Sequence, residues 1–293
     1  MCFLLPQPDR LRSLFRSVAA IVCGLIVAAQ LPAEVVVAGS SMLQPSITAI
    51  AEQFSEETGI ELAVGGGGSD AGIDAVLDGT AELAMISRPL SAEEAELVAQ
   101  TAIAHDALSV IVNAANSLPG VSTEQLQGLF SGDIGAWSEL DDFDARVAIV
   151  SREADRTALQ LFETHTGLAH HERDEPGPAG SIARSAYRIA TESEAVAVVG
   201  GTPGAVAYAS WATAERLREQ GMPIRIVALE GQSPGANTIA AGDYPIVVEL
   251  SLAYTELSPE GLEFLSFITS ETGQAVLSDY GLIPITDGEQ PSM

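Results

Sequence analysis

Short apolar runs alternate with amphipathic stretches along most of the chain. Residues 34–38 predict a buried strand, and residues 47–58 then carry apolar side chains at helical spacing on one face. Further strands are predicted at 60–64, 83–86, 108–112, 147–150 and 224–229, and apolar runs without an assigned element type lie at 194–199, 206–209 and 246–253. Further helices are predicted at 70–77, 92–100, 123–130, 157–166, 259–270 and 272–280. This alternation is typical of α/β domains with largely parallel sheets.

Several predicted strands end in Gly or Ser directly before a helix begins. This occurs after Gly39, across the glycine run 65–68 that precedes Ser69, at Ser87, and at Arg152. Helix N-termini carry unpaired N–H groups and a partial positive charge, and open α/β sheets bind ligands at the carboxyl ends of their strands. The pattern therefore predicts an anion site, although each serine could be an ordinary helix cap and the glycine run a tight turn.

The N-terminus has the pattern of a targeting segment. Arg10, Arg12 and Arg16 precede an apolar run at 18–29 that is too short for an ordinary membrane span. We interpret residues 1–33 as a signal peptide, with cleavage after Ala29 or Ala33. Both cysteines of the chain lie in this segment, so the mature protein would have no disulfide and no thiolate site.

The remaining chain is long enough for two domains, and it is strongly acidic. Among 293 residues, 40 are acidic and 13 are basic, all of them Arg, which gives a net charge of −27. Such a charge excludes nucleic acid and anionic membranes as partners and is typical of a soluble protein in salty water. An acidic cation-binding face is the alternative.

Other chemistry is poorly supported by the sequence. The sequence His170-His171-Glu172 lacks metal-ligand spacing, and we expect it to face solvent. The glycine run lacks the Lys-Ser/Thr of a phosphate-binding P-loop, so nucleotide binding is not expected. We therefore predict neither a metal nor a cofactor.

Seven motifs, in order along nearly the whole mature chain, resemble the periplasmic phosphate-binding proteins (PstS-like) of the phosphate ABC importer. The motifs are Gly39-Ser-Ser-Met-Leu-Gln-Pro45, Gly68-Ser-Asp-Ala-Gly72, Gly79 to Arg88, Asp106 to Asn113, Leu126 to Gly132 with Trp137, Thr202 to Tyr208, and Tyr244-Pro245 with Gly273 to Leu277. The resemblance implies a reversible solute-binding protein, and not an enzyme.

The resemblance also implies a ligand site between two lobes. Ser41 would supply a hydroxyl and Met42 a backbone N–H, while Ser69 would cap a helix and also donate to the ligand. Ser87 matches a position that some relatives fill with Asp, as acceptor for the proton on phosphate. Arg152 matches the family's ligand arginine, although it could instead pair with Glu153 or Asp155 on the surface.

The sequence departs from the family pattern directly after this arginine. The family usually continues Arg-Glu-x-Gly-Ser-Gly-Thr, whereas this chain has Arg152-Glu-Ala-Asp-Arg-Thr-Ala158. The change removes two expected hydroxyls and adds a charge at Arg156. We expect Arg156 and Thr157 to complete the ligand set, unless Arg156 points outward and pairs with Asp155 or Glu163.

The fold implied by the resemblance is α/β, the two-lobed periplasmic-binding-protein (class II type) fold, with a mostly parallel sheet flanked by helices in each lobe. We expect lobe I at residues 34–112 plus 223–293 and lobe II at 113–222, with two hinge crossings, near Val112 and within 210–225. The expected partners are inorganic phosphate and an ABC-transporter permease, for a monomer located in the periplasm or outside the cell. Phosphite, a phosphonate, sulfate or molybdate are alternative ligands, and a secreted serine phosphatase or esterase or a sensor are alternative functions.

Overall fold

A computed structural model describes residues 34–153 and 156–285. The strands are β1 (Val35–Gly39), β2 (Leu62–Gly65), β3 (Leu83–Ile86), β4 (Ala99–Asn113), β5 (Gly120–Val121), β6 (Ala148–Arg152), β7 (Tyr187–Ile189), β8 (Ala205–Ser210), β9 (Ile224–Leu229), β10 (Val247–Tyr254) and β11 (Ile283–Pro284). The helices are α1 (Gln44–Thr58), α2 (Ser69–Leu77), α3 (Ala92–Leu97), α4 (Thr123–Ser131), α5 (Thr157–Thr166), α6 (Glu192–Gly201), α7 (Trp211–Glu219), α8 (Ala236–Ala240), α9 (Pro259–Thr269) and α10 (Glu271–Asp279). The alternation of strands and helices confirms the predicted α/β class.

One long strand, β4, is shared by two sheets. Its first part, up to Ala107, pairs antiparallel with β10, and from Leu108 onward it pairs antiparallel with β8. The first sheet has the order β2-β1-β3-β10-β4, in which β1 is parallel to both β2 and β3. The second continues through β8, β6 and β7, which run parallel to one another. This arrangement matches the expected two-lobed fold, with more antiparallel pairing than the sequence indicated.

The pairing of β9 differs from the expected lobe division. Strand β9 pairs with β4 at positions 110–113 and with β5, so it belongs to the second sheet, although residues 223–293 were expected in lobe I. The chain then returns to the first sheet between Leu229 and β10, and the expected hinges near Val112 and within 210–225 stay predictions. Since the chain from Glu34 onward folds as one compact unit, the lobe boundaries themselves remain a prediction.

Each sheet is stabilised by its own apolar core. The first core contains Phe54 of α1, which packs edge-on against Phe264 of α9 with ring centroids 5.3 Å apart. In the second, Phe162 of α5 stacks on Tyr208 of β8 at 4.2 Å. Burial of side chains of this size stabilises the fold by roughly 1.5–3 kcal/mol each. The helices that carry the strand-end loops are therefore fixed rigidly on their sheets.

Candidate functional site

The loops singled out from the sequence follow strands β1, β3 and β6. Because β1 and β3 are parallel neighbours, their carboxyl ends lie at the same edge of the first sheet. Gly39, at the end of β1, has φ of 135° and lies so close to β3 that a Cβ would come within 2.2 Å of the Met85 carbonyl oxygen. Only glycine allows this approach, which brings the loop after β1 against the loop after β3.

A chain of buried hydroxyl groups connects these loops. The Ser40 and Ser87 Oγ atoms lie 2.6 Å apart, and the Ser87 N–H donates to Ser69 Oγ at 3.1 Å. The Met42 N–H donates to Ser40 Oγ at 3.3 Å. All three serines are fully buried. The predicted residues Met42, Ser69 and Ser87 are thus brought together, and Ser40, which we did not predict, joins them.

The same hydroxyl chain reaches the second sheet through Thr157, the first residue of α5. Thr157 Oγ1 donates to Ser69 Oγ at 2.9 Å and accepts from the Ser69 N–H, also at 2.9 Å. Ser69 begins α2 on the first sheet, so the N-terminal ends of two helices from different sheets meet at this contact. Since each helix end carries a partial positive charge, an anion is the ligand that such a meeting point favours.

Arg152, at the end of β6, is buried and tightly held. Its Nη2 lies 2.6 Å from Glu192 Oε2 and donates to the Tyr208 carbonyl oxygen at 3.1 Å, while Nη1 donates to the Thr191 carbonyl oxygen. The Nε–H makes no hydrogen bond to any other residue that the structure describes. Among the residues that the structure describes, Arg152 therefore pairs with a buried glutamate, Glu192.

A second buried carboxylate lies behind Glu192. Glu192 Oε2 also accepts from the Ser210 N–H at 2.8 Å, and the Ser210 hydroxyl donates to Asp106 Oδ2 at 2.5 Å. Asp106 lies on β4 directly before this strand changes sheets, and its other oxygen accepts from the N–H groups of Ala107 and Ala212. Burial raises the pKa of Asp106 to about 7, although these hydrogen bonds act in the opposite direction. A polar network thus links the site to the crossing between sheets.

The remaining predicted residues lie at the edge of this arrangement. Arg156 precedes α5 and pairs with Glu153, with Nη2 and Oε2 2.7 Å apart, so Glu153 is a partner that we did not foresee. Ser41 is half-buried beside Met42, whose side chain packs into the first core. Like the other residues predicted to bind the ligand, Ser41 and Arg156 stay predictions.

The acidic residue Asp70 is held by two neighbours. Its Oδ1 lies 2.6 Å from Arg88 Nη2, and its Oδ2 accepts from Gln160 Nε2 at 2.6 Å. Arg88 also binds Glu94, 2.7 Å away, and this pairing lowers the pKa of Glu94 to about 2. Arg88 therefore fixes its loop, and both carboxylate oxygens of Asp70 already accept hydrogen bonds.

Metal chemistry and membrane insertion find no support within residues 34–153 and 156–285. This part of the chain contains no cluster of three or more His, Asp or Glu residues arranged to hold a metal, and none of its helices is long and apolar enough to cross a membrane.

The expectation that His170 faces solvent was wrong, because its side chain is buried, and burial lowers its pKa. The predicted signal peptide lies outside the described residues.

Comparisons with known proteins agree with this geometry. The chain is 28% identical over 262 residues to the phosphate-binding protein PstS of Bacillus subtilis, covering 86% of this chain and 80% of that protein. A Vibrio cholerae structure of an ABC-type phosphate transport receptor superposes with a TM-score of 0.70 at 26% identity, over 86% of this chain and all of the other.

A second structure shares the fold more closely. It belongs to a Clostridium perfringens protein assigned as a phosphate ABC transporter substrate-binding protein, with bound phosphate, and superposes with a TM-score of 0.76 at 24% identity over 86% of this chain and all of that one. The family model described as the PBP superfamily domain matches residues 27–272. With a match over most of its length, and with the strand order and crossing strand described above, the chain belongs to the PBP superfamily.

Proposed function

We propose that this protein captures inorganic phosphate between its two lobes and delivers it to an ABC importer. The observation that carries the proposal is the buried contact between Ser69 and Thr157, which joins helix ends from both sheets and follows the buried Arg152 by five residues in the sequence. The relatives and structures named above are phosphate-binding or phosphate-transport proteins, which supports phosphate as the ligand. Closure of two lobes around a solute is a known means of capture.

The proposed ligand residues divide into neutral donors and charged donors. The hydroxyls of Ser41, Ser69 and Thr157 and the Met42 N–H would donate to the phosphate oxygens, with the Thr157 proton turning from Ser69 to the ligand. Ser87 would accept the proton that phosphate keeps. Arg152 would add its unused N–H groups, since three of its five donors bind Thr191, Glu192 and Tyr208. Arg156 would turn from Glu153 toward the ligand and replace the hydroxyls that the departure in sequence removed.

Binding without chemistry is the mode that the site favours. A serine nucleophile needs a positioned base. The side-chain hydrogen bonds shown for Ser40, Ser69 and Ser87 join these serines to one another, to Met42 and to Thr157. These contacts favour binding over the alternative of a secreted serine phosphatase or esterase.

The setting of the protein follows from the same proposal. Residues 1–33 would act as a signal peptide, and the mature monomer would work in the periplasm or outside the cell. The partner that receives the phosphate would be the permease of the importer. A neighbouring permease or ATPase gene would support transport, whereas a neighbouring histidine-kinase gene would support a sensor.

Isothermal titration calorimetry of the purified full chain against phosphate, phosphite, sulfate and molybdate tests the ligand. We expect one phosphate per chain and weaker sulfate binding. Near neutral pH phosphate keeps a proton, which Ser87 would accept, whereas sulfate carries no proton and would leave this acceptor unpaired. An unmet buried polar group costs about 1–3 kcal/mol, which corresponds to roughly five- to a hundredfold in affinity. Equal affinity for sulfate, or no binding of phosphate, would reject phosphate as the ligand.

A further inference from the structure

Two neighbouring contacts join α2 of the first sheet to α5 of the second. The inner one is the buried contact between Ser69 and Thr157 described above. The outer one lies next to it on the surface, where Gln160 Nε2 donates to Asp70 Oδ2 at 2.6 Å. Asp70 directly follows Ser69, and Gln160 lies about one helical turn after Thr157. The two contacts therefore hold the same pair of helix ends from the inside and from the outside.

Contacts within the first sheet and its helices fix the orientation of Asp70. Arg88 donates to Asp70 Oδ1 from Nε at 2.8 Å and from Nη2 at 2.6 Å. Arg88 is itself fixed by Glu94, through Nη1 and Nη2 at 2.8 and 2.7 Å. All three residues belong to the first sheet and its helices, so Asp70 presents Oδ2 to Gln160 while Oδ1 stays with Arg88. A partner that is already ordered loses less entropy when the contact forms.

We propose that Gln160 is a positioning residue for ligand binding: its amide engages Asp70 when the lobes close and keeps Ser69 and Thr157 together around the anion. This inference rests on the proposed function, in which these two residues bind the ligand. Gln160 itself acts through Asp70 and need not touch phosphate. The contact exists only in the closed arrangement, because its two partners are carried by different sheets.

The kinetics of binding would show such a role. The ligand enters while the lobes are apart, when Gln160 and Asp70 do not meet, so loss of the contact should not lower the association rate constant. Release requires the lobes to separate and therefore requires this hydrogen bond to break. A hydrogen bond to a charged group at a partly exposed position corresponds to about a three- to tenfold increase in the release rate when it is lost.

The first experiment compares Gln160→Ala with a matched control. Gln53 also lies on a helix surface and donates to a carboxylate, that of Glu57, but both residues belong to α1, and Gln53→Ala should behave like the wild type. The release rate is measured as displacement of radiolabelled phosphate by excess unlabelled phosphate, and calorimetry gives Kd. We expect release from Gln160→Ala to be about three- to tenfold faster, with Kd raised by at most the same factor.

A second pair of variants separates positioning from a structural effect. Gln160→Glu places two carboxylates opposite each other and should release phosphate fastest of all. In the double variant with Asp70→Asn, the amide at position 70 donates to the carboxylate at position 160, so the hydrogen bond is restored with its direction reversed. This double variant should release phosphate more slowly than Gln160→Glu. Urea unfolding of each variant checks that the fold is retained. A release rate that the second substitution does not slow would contradict the inference.

Small-angle X-ray scattering without ligand tests the contact independently of phosphate. Gln160→Ala should increase the radius of gyration relative to the wild type and to Gln53→Ala, because the lobes lose one of the contacts that keep them closed. If the wild type does not bind phosphate, the proposed function fails. The radius of gyration of Gln160→Ala relative to Gln53→Ala then tests by itself whether Gln160 helps to keep the lobes closed. Scattering and release rates that are identical for Gln160→Ala and Gln53→Ala would overturn the inference.

Discussion

The buried pair between Arg152 and Glu192 makes a sharp prediction for stability. Both side chains are only 2% exposed, and their charged atoms are 2.6 Å apart. Glu192→Gln keeps an oxygen for Arg152 and for the Ser210 N–H but removes the negative charge. Arginine does not lose its proton in a protein, so the substitution leaves an unbalanced buried cation. Breaking a buried pair in this way typically costs about 3–5 kcal/mol.

Thermal and urea unfolding of the full chain measure this loss. For a chain of this size each kcal/mol lowers Tm by about 2–4 °C, so we expect a decrease of roughly 6–20 °C. Glu215→Gln is the matched control, because its partner Arg218 is also 2.6 Å away but the two side chains are 44% and 28% exposed. Exposed pairs contribute about 1 kcal/mol or less. Equal Tm values for the two variants would refute the assignment of a buried, balanced pair.

Phosphate provides a further arm of the same experiment. If Arg152 binds the ligand, a bound anion supplies the negative charge that Glu192→Gln has lost. Saturating phosphate should then raise the Tm of Glu192→Gln more than it raises the Tm of the wild type. An equal increase in both proteins would mean that Arg152 and the ligand do not interact.

Two further predictions concern Asp106 and the two arginines of the site. Asp106 has a raised pKa, so between about pH 4 and 7 the native state binds more protons than the unfolded state. The contribution of Asp106 to the free energy of unfolding therefore falls as the pH rises, by at most about 1.4 kcal/mol per pH unit. Asp106→Asn removes this dependence, so in urea unfolding the free energy of unfolding of the variant should rise relative to that of the wild type from pH 5 to pH 8. A difference that stays constant over this range would contradict the pKa shift. Arg156→Ala should weaken phosphate binding roughly ten- to a hundredfold in calorimetry, and Arg152→Ala at least as much. Wild-type affinity in Arg156→Ala would mean that Arg156 does not bind the ligand and that Thr157 and backbone N–H groups complete the site.

Much of the fold could be predicted because local patterns determine it. Helix α2, predicted at 70–77, occupies Ser69–Leu77, and α10, predicted at 272–280, occupies Glu271–Asp279. The first half of β4 was missed, since Ala99 to Ala107 contains alanines and polar residues that also suit a helix. What makes it a strand is its pairing with β10, more than 100 residues away. A local pattern cannot contain that information.

The candidate site could likewise be predicted only where the signal is local in the sequence. Ser69 and Ser87 could be singled out because each lies where a strand gives way to a helix, and such junctions are visible in the sequence. Thr157 could be singled out only through the resemblance to the family pattern. Glu192 lies 40 residues from its partner Arg152 in a stretch with no motif of its own, so only the fold pairs them. Gln160 was missed for the same reason, since its partner Asp70 is 90 residues away.

The charges of the described residues suggest how a very acidic protein can capture an anion. The whole chain has a net charge of −27, so its long-range field repels phosphate. Within the described ranges, the arginines nearest the site do not reverse this, because Arg88, Arg152 and Arg156 each pair with a glutamate. The attraction would therefore have to come from short-range donors, namely the buried hydroxyls and the helix ends that meet at Ser69 and Thr157. Such donors act only after the ligand has shed its water between the closed lobes, which is why contacts between the lobes, such as that of Gln160 with Asp70, bear directly on affinity.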